Sequence, residues 1–292
     1  MEKIKILVTG SKGQLGSELR RLSGNYDKLA FSFTDLAELD ICNADSLKKF
    51  TSELQPDYLI NCAAYTAVDR AEDDEDGAIN LNAGAVRNIT SALEGSRCKL
   101  IHISTDYVLA GSGNRLLTEE DSPDPRSVYA KSKLAGERYA LEYKNSQVIR
   151  TSWMYSAYGH NFVKTILRLA AERDEISVVN DQVGTPTWAA DLAEAIISII
   201  RAEGSETGAF FPGIYHYSNL GSCSWYEFAM KIKELKGLKL KINAVSTEEY
   251  KLPAYRPAYS VMSKDKIIER YKLKIPRWED SLDLCLKLID SE

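Results

Sequence analysis

The chain has 292 residues, of which 44% are hydrophobic and 27% are charged, with a formal net charge of −5 at pH 7. This length suffices for one large fold or two lobes, and the composition is that of a globular protein with a packed core. The acidic balance argues against nucleic acid as a partner, because binding DNA or RNA favours a basic face.

Cysteine usage and the N-terminal segment bear on the compartment. An odd number of cysteines without a Cys-x-x-Cys pair indicates reduced thiols. The apolar run before Thr9 is too short for a signal peptide or a membrane span, and no later stretch reaches membrane length without charges. We therefore expect a cytoplasmic protein with no membrane partner. The cysteines are Cys42, Cys62, Cys98, Cys223 and Cys285.

Short β-rich runs alternate with longer helical patterns in the first half of the chain. This alternation builds βαβ units, so residues 1–152 predict a dinucleotide-binding domain of the α/β class, with a Rossmann-type doubly wound parallel sheet. The predicted strands are Ile4–Val8, Leu29–Phe33, Tyr58–Cys62, Leu100–Ser104 and Val148–Ser152. The predicted helices are Leu15–Leu22, Ser46–Leu54, Gly77–Leu93 and Tyr129–Tyr143.

The alternation loosens in the second half. We expect residues 153–292 to form mainly a smaller α/β substrate-binding lobe, interleaved with the first domain, to which later segments return. A strand is predicted at Ile176–Val179, and a surface loop at Gly204–Gly213. The predicted helices are Asn161–Glu172, Ala189–Arg201 and Trp225–Leu235, the last with Ser224 as its N-cap.

A glycine-rich turn follows the first predicted strand. Gly10, Gly13 and Gly16 lie in Thr9-Gly-Ser-Lys-Gly-Gln-Leu-Gly16, before a helix. Glycine permits a tight turn and a close approach of the backbone to a pyrophosphate, and the helix N-terminus attracts the phosphates. A glycine triplet alone is weak evidence, but its place between a strand and a helix predicts a dinucleotide site.

The choice of dinucleotide stays open. An acid near the end of the second strand commonly binds the adenosine ribose, and both Asp35 and Asp40 fit that position. Either could also be a plain loop carboxylate. Asp35 would favour NADH by repelling a 2′-phosphate, whereas Lys12 in the glycine loop could attract one, as NADPH requires.

Tyr129 and Lys133 lie four residues apart in a helical pattern, so both side chains share one face. A nearby ammonium should lower the pKa of the tyrosine from about 10 towards working pH, which makes Tyr129 a general acid. Tyr-x-x-x-Lys alone is poor evidence in a chain with 16 tyrosines. Here the pair follows a strand that ends in Ser104-Thr105-Asp106, at the sheet edge where ligands bind.

Together these features resemble the extended short-chain dehydrogenase/reductase family, whose catalytic set is Ser/Thr, Tyr and Lys. By position Thr105, not Ser104, matches the hydroxyl of that set. Within this superfamily the chain resembles the dTDP-4-dehydrorhamnose reductases over nearly its whole length. The segments that carry this resemblance are Thr9–Gly16, Asn61–Glu72, Ser104–Val108, Val128–Glu137, Arg150–Tyr155, Val179–Thr187 and Arg256-Pro257.

The resemblance implies reduction of the C4 ketone of a nucleotide-sugar substrate, dTDP-4-dehydro-L-rhamnose, by NADPH or NADH. Tyr129 would donate a proton, Thr105 would orient the oxygen, and Lys133 would assist Tyr129 and bind the nicotinamide ribose. Asp106 and Trp153 would contact the substrate. Carried over as cofactor contacts, besides Tyr129 and Lys133, are Gly10, Lys12, Gly13, Gln14, Leu15, Gly16, Asp40, Ile41, Ala63, Ala64 and Tyr65.

Departures from related patterns narrow the function. Sugar-nucleotide dehydratases carry glutamate after Thr-Asp, where this chain has Tyr107, so dehydration loses its expected base. Leu109 replaces a usual phenylalanine, a change we expect to affect packing. Some relatives bind Mg²⁺ through glutamates at a dimer interface; those glutamates are not placed here, so Mg²⁺ and a homodimer stay open.

Two alternatives remain: another nucleotide-sugar reductase or epimerase, and a non-catalytic regulatory subunit resembling the β subunit of methionine adenosyltransferase. The remaining titratable clusters predict structure rather than chemistry. We interpret the acidic run Glu72–Asp76 as a solvated loop with helix N-terminal charge, and Asp290–Glu292 as a solvated tail. The scattered His102, His160 and His216 are expected to be hydrogen-bonded structural residues.

Overall fold

A computed structural model describes residues 3–109, 113–202 and 210–291. The described strands are β1 (Ile4–Thr9), β2 (Leu29–Phe33), β3 (Tyr58–Asn61), β4 (Lys99–Thr105), β5 (Ser146–Thr151), β6 (Met154–Tyr155), β7 (Glu175–Val179), β8 (Val183–Gly184), β9 (Thr187–Trp188), β10 (Gly213–His216), β11 (Cys223–Ser224) and β12 (Lys241–Val245). The described helices are α1 (Gln14–Ser23), α2 (Ala44–Leu54), α3 (Glu75–Ile79), α4 (Ala85–Leu93), α5 (Val128–Glu142), α6 (Phe162–Glu172), α7 (Ala189–Ala202), α8 (Trp225–Lys236), α9 (Asp265–Tyr271) and α10 (Trp278–Ser291).

The main sheet has six parallel strands in the order β10-β5-β4-β3-β1-β2. Successive residues of β1 face opposite sides: Ile6 packs in a core with α1 and α7, while Leu7 packs in a second core with α2, α4 and α5. Helices on both faces of a parallel sheet confirm the predicted Rossmann-type, doubly wound fold. The strand order reverses between β1 and β3, and ligands bind at such a switch point.

A third core, separate from the two that flank the main sheet, is built by residues after 152. In it β12 pairs in parallel with β7, and α6, α8 and α10 surround the pair. Phe228 and Leu282 are fully buried there. Other late segments belong to the main sheet, because β10 pairs with β5 and α7 packs in the core beside α1.

The predicted helix Gly77–Leu93 is interrupted. A π-helical segment, Asn80–Gly84, separates α3 from α4. Within it Asn82 is 1% exposed, and its side chain accepts a hydrogen bond from the backbone N–H of Tyr65 at 2.8 Å and donates to that residue's carbonyl at 3.1 Å. These two bonds hold Asn82 inward, and π segments are frequent at functional sites.

The loop predicted at Gly204–Gly213 falls largely outside the described residues. Its last residue was wrongly predicted, since Gly213 begins the edge strand β10 and pairs with Gln147. Pairing with a strand so far away in sequence overrides the local preference of glycine for a loop. The prediction for Ser224 is confirmed, because Ser224 and Glu227 form a reciprocal capping box at the start of α8.

The histidine prediction is partly wrong. The Nδ1 atom of His102 is hydrogen-bonded to Asn61 at 3.1 Å, and His160 is exposed. His216 is fully buried, however, and neither ring nitrogen has a hydrogen-bond partner among the described residues. No helix in the described parts of the chain is both long enough and apolar enough to span a membrane.

Candidate active site

The glycine loop lies where β1 ends and α1 begins. Gly10 has a φ of +67°, and a Cβ on it would lie 2.5 Å from the backbone nitrogen of Ala63. A Cβ on Gly16 would lie 2.5 Å from the carbonyl oxygen of Gly10. Gly13 is the N-cap of α1 and supplies no capping side chain. The first N–H groups of α1 therefore point to an unobstructed backbone cradle, which fits the pyrophosphate of a dinucleotide.

Charged side chains of both signs surround the end of β2. The carboxylate of Asp35 accepts a hydrogen bond from the backbone N–H of Lys12 at 2.9 Å, and the ammonium of Lys12 lies 3.7 Å from Glu38. Arg20, which sequence reasoning missed, lies over the ring of Phe33 at 4.3 Å and donates to Ser11 at 3.2 Å. Arg20 belongs to no short sequence motif, so its position near the end of β2 is evident only in the folded structure.

The segment Ala63–Tyr65 follows β3 and lies against the glycine loop. Its start is fixed by Asn61, whose side-chain oxygen accepts hydrogen bonds from the N–H of Ala63 at 3.2 Å and from Thr9 at 2.8 Å. Its end is fixed by Asn82, which also donates to Ser132 on α5 at 2.9 Å. The structure thus ties this segment, including Ala64, to both the glycine loop and the helix that carries Tyr129.

The other implied cofactor contacts are not alike. Leu15 and Ile41 have side chains in the two cores of the main sheet, so only their backbones are available to a ligand. Asp40 accepts a hydrogen bond from the N–H of Cys42 at 2.9 Å. Gln14 is the first residue of α1, and its amide lies 3.5 Å from the carbonyl oxygen of Met154.

Thr105, Tyr129 and Lys133 come together at the carboxyl end of β4. Thr105 ends that strand, and Tyr129 lies in the first turn of α5, which packs on β4. The ammonium of Lys133 donates to the carbonyl oxygen of Ile103 at 2.7 Å and lies near enough to Cys62 to influence that thiol. Because Gly10 also packs against Cys62, the Tyr129–Lys133 pair lies beside the glycine loop.

The direction predicted for the pKa of Tyr129 is wrong in this structure. Burial raises the pKa of Tyr129 to about 12, and a hydrogen bond with Thr105 opposes only part of the rise. Burial also lowers the pKa of Lys133 to about 8. Desolvation dominates both shifts, and Lys133 is not among the groups that act on the pKa of Tyr129. Tyr129 is therefore a neutral phenol at neutral pH, the form that can donate a proton.

Asp106 follows Thr105 and is 1% exposed. The hydroxyl of Thr105 donates to its carboxylate at 3.1 Å. Burial raises the pKa of Asp106 to about 6, against hydrogen bonds from Ser260 and Thr105. Asp106 can thus orient the Thr105 hydroxyl above that pH, besides any contact it makes with a ligand.

Tyr107 connects Tyr129 to an ion pair between distant segments. Its ring lies edge to face with that of Tyr129, and Arg256 is hydrogen-bonded to it. The guanidinium of Arg256 makes two bonds to the carboxylate of Asp69, at 2.9 and 2.7 Å. This bidentate pair holds the pKa of Asp69 below its usual range. Tyr107, Asp69 and Arg256 all lie in segments that carry the family resemblance, but the sequence does not indicate that they contact one another.

A cleft of about 640 Å³ lies beside this ion pair. Its lining is mostly apolar and aromatic and includes the charged Asp69 and Arg256, which suits a ligand that has a ring and charged groups. Among its lining residues are Phe162, Leu169, Arg173, Val178 and Trp225.

Trp153, the implied substrate contact, does not line this cleft. Its ring stacks on that of Trp225 with centroids 3.7 Å apart, and it covers Gly184 so closely that a Cβ there would lie 2.6 Å away. Trp153 also has a φ of +45°, which strains a residue with a side chain. The structure therefore places Trp225 at the cleft and Trp153 behind it.

The acidic run has structural partners. Asp74 caps α3 and accepts a hydrogen bond from the hydroxyl of Tyr65 at 3.0 Å, and Glu72 accepts from the N–H of Val128 at the start of α5. Across the described ranges, no group of three or more His, Cys, Asp or Glu side chains could hold a metal ion. Leu109 packs in a small core with Val108 and Leu134.

The fold and these residues define a Rossmann-type α/β protein of the short-chain dehydrogenase/reductase kind, with a dinucleotide cradle beside a Tyr–Lys pair. A model of the RmlD substrate binding domain family matches residues 4–291. The chain belongs to that family.

Similar proteins cover nearly all of the chain. Spore coat polysaccharide biosynthesis protein SpsK of Bacillus subtilis is 42% identical over 283 residues, which are 95% of each chain. The dTDP-4-dehydrorhamnose reductase of Aggregatibacter actinomycetemcomitans is 38% identical over 290 residues, 95% of this chain and 97% of that one. The crystal structure of dTDP-4-dehydrorhamnose reductase from Bacillus anthracis in complex with NADP has a TM-score of 0.91 and 40% identity, covering 98% of this chain and 99% of that one.

Proposed function

We propose that this chain reduces the C4 ketone of dTDP-4-dehydro-L-rhamnose to the alcohol of dTDP-L-rhamnose, with NADPH or NADH as the reductant. The observation that carries the proposal is the meeting of Thr105, Tyr129 and Lys133 beside the glycine cradle. Relatives of similar length bear the name of this reductase, and one was crystallised with NADP.

The backbone cradle formed by Gly10, Gly13 and Gly16 would hold the cofactor's pyrophosphate, and Lys133 would bind the nicotinamide ribose. Asp40, Ile41 and the segment Ala63–Tyr65 would contact the adenosine half and the middle of the cofactor. When bound, the reduced cofactor supplies the hydride for C4.

The residues of the chain handle the proton and the charge. Thr105 turns its hydroxyl proton from Asp106 to the C4 oxygen and holds that oxygen by a hydrogen bond. The phenol of Tyr129 donates its proton to that oxygen as negative charge develops there. The ammonium of Lys133 stabilises the phenolate that this donation leaves. A neutral phenol and a charged amine are the forms that their pKa values of about 12 and about 8 give at neutral pH.

The cleft beside Asp69 and Arg256 is the place we propose for the nucleotide. A base can stack between its aromatic walls, and the two arginines, Arg173 and Arg256, suit a diphosphate. Trp153 and Trp225 would shape the sugar end. This assignment fits a division into a dinucleotide-binding domain of residues 1–152, joined by β10 and α7, and a substrate lobe formed mainly by residues 153–292.

The test is turnover of dTDP-4-dehydro-L-rhamnose, generated in situ, with NADH and NADPH in separate reactions monitored at 340 nm. We expect turnover by the native protein and a loss of about 10²- to 10⁴-fold in kcat for Tyr129→Phe, with cofactor binding retained. Tyr139→Phe, on the same helix, is the matched control and should leave kcat unchanged.

The same assay distinguishes the alternatives. Turnover of GDP- or UDP-keto-sugars in preference to the dTDP compound would assign another nucleotide-sugar reductase. An absence of turnover with every keto-sugar, together with copurification of a larger synthetase, would assign a regulatory subunit. Near-normal activity of Tyr129→Phe would reject the proton donor.

A further inference from the structure

A buried ion pair lies one turn along α5 from the catalytic lysine. Arg150 on β5 donates to both oxygens of Glu137, at 2.9 and 2.7 Å. Each of the two side chains is 1% exposed. Removing a carboxylate and a guanidinium from water is costly, and such a pair often adds little to stability. The burial of this pair therefore points to a role beyond packing.

The position of Glu137 relative to Lys133 gives that role. The two residues are four apart in α5, so their side chains lie on one face of the helix. Lys133 is 2% exposed, and the one hydrogen bond described for its ammonium goes to the carbonyl of Ile103. A buried ammonium with so little solvation tends to lose its proton unless an anion is near.

The other titratable groups facing Lys133 carry no negative charge at neutral pH. Burial raises the pKa of the Cys62 thiol at the end of β3 to about 12, and burial together with Lys133 lowers the pKa of His102 on β4 well below its usual value. Glu137 is the first group that opposes the effect of burial on the pKa of Lys133. Among the described residues it is the carboxylate that acts on this lysine.

Arg150 determines how Glu137 acts. Because both carboxylate oxygens are bonded to the guanidinium, Glu137 forms no ion pair with Lys133 within the described part of the chain. The negative charge of Glu137 thus stabilises the Lys133 ammonium, whose N–H groups stay available to other partners. On its far side Arg150 acts on two groups of neighbouring elements, Glu119 and His216, and Lys266 acts on both of these.

We propose that Glu137 is a positioning residue that keeps Lys133 in its ammonium form within the buried site, and that Arg150 holds Glu137 at the distance where it does so without binding the ammonium directly. The inference rests on the proposed reductase function, in which the charged lysine stabilises the Tyr129 phenolate. Without the Glu137 charge, Lys133 loses its proton at a lower pH, and activity falls as the pH rises through that value.

The experiment measures Lys133 directly, without substrate or cofactor. Protein labelled with ¹³C at lysine Cε is titrated by NMR, and the Lys133 resonance is assigned by its loss in Lys133→Met. We expect the midpoint to fall by about one pH unit in Glu137→Gln. Glu142→Gln, an exposed position on the same helix, is the control and should leave the midpoint in place.

A second variant covers the case in which Glu137→Gln fails to fold because Arg150 is left unpaired. Glu137→Leu/Arg150→Met replaces the pair with apolar side chains of similar volume, a change that buried pairs often tolerate. Its midpoint should also fall. In the folded variants the basic limb of kcat for dTDP-4-dehydro-L-rhamnose should move by the same amount as the NMR midpoint.

Three results would overturn the inference: an unchanged midpoint in a folded variant, a basic limb of kcat that stays in place while the midpoint falls, or a midpoint below neutral pH in the native protein. Failure of the native protein to turn over the keto-sugar would instead reject the proposed function. The two failures are distinct, because the titration requires no substrate.

Discussion

The rings of Tyr107 and Tyr129 meet edge to face, with centroids 5.6 Å apart and planes at 79°. This is a favourable geometry for two aromatic rings, because the positive edge of one faces the negative face of the other. Tyr107 stands where a glutamate is expected from sequence in dehydratases. Its ring packs against the proposed proton donor.

Replacing Tyr107 by alanine should lower kcat by up to about tenfold, since an aromatic pair of this kind contributes about 0.5–1.5 kcal/mol and its loss frees the Tyr129 ring. Tyr107→Phe keeps the ring and removes only the hydroxyl that interacts with Arg256, so its kcat should stay near that of the native protein. Steady-state kinetics with a saturating cofactor checks this. Equal losses in both variants would show that the hydroxyl, not the ring, matters.

Activity should fall at acid pH because of Asp106. Its pKa of about 6 lies above the usual value, so the carboxylate is charged above that pH and becomes protonated as pH falls through it. Protonation removes the negative charge with which Asp106 would bind hydroxyls of the sugar, the substrate contact expected of it. We expect the kcat of the native protein to fall as the pH drops through about 6. The kcat of Asp106→Asn should be lower and should not depend on pH in this range. A limb that persists in Asp106→Asn would assign it to another group.

Arg256→Met should raise the KM for the nucleotide sugar by about tenfold or more, because it removes a charge from the proposed diphosphate end of the cleft. The KM for the cofactor should change little. Arg138→Met, an exposed position on α5, serves as the control. If Arg256→Met raised the KM for NADPH and the sugar equally, the residue would act on the fold rather than on the sugar site.

The preference between cofactors should depend on Asp35 and Arg20. Asp35→Asn removes a negative charge near the end of β2 and should raise the ratio of kcat/KM for NADPH over NADH by about five- to tenfold, as expected for one charge at an exposed site. Arg20→Gln should change the ratio in the opposite direction. Unchanged ratios in both variants would place the 2′-phosphate elsewhere.

Gly136→Ala should destabilise the fold. A Cβ at Gly136 would lie 2.1 Å from the carbonyl oxygen of Asn82, where the backbone of α5 meets the π segment. We expect a loss of about 1–3 kcal/mol in the free energy of unfolding, measured in urea. Gly24→Ala is the control, because nothing lies within 4 Å of its Cβ. Equal stability of the two variants would contradict the close packing of α5.

The elements that were predicted correctly are those with a local signal. The first five strands of the main sheet lie within two residues of their predicted bounds, because short apolar runs next to helical patterns are sufficient evidence. The strand Gly213–His216 was missed, since it exists only through pairing with Ser146–Thr151 across many intervening residues.

The features of the site divide in the same way into those with a local sequence signal and those that depend on contacts between distant segments. The glycine loop and the Tyr129–Lys133 spacing are local patterns, so the sequence indicates them. The Asp69–Arg256 pair joins residues 187 positions apart, and the stacking of Trp153 on Trp225 joins two segments that share no motif. The direction of the Tyr129 pKa was also out of reach, because it depends on burial that a helical spacing does not report.

The π segment Asn80–Gly84 has a consequence for how this chain tolerates changes in length. Each residue of a helix turns the chain by about 100°, so deleting one residue would regularise this helix and swing everything before it around the axis. Asn82 would then lose its bonds to Tyr65 and Ser132 together, and with them the connection between the segment Ala63–Tyr65 and helix α5. The extra residue of the π segment thus fixes the rotation of α3 and the chain before it relative to α4. A deletion here should be far more damaging than one in an exposed loop.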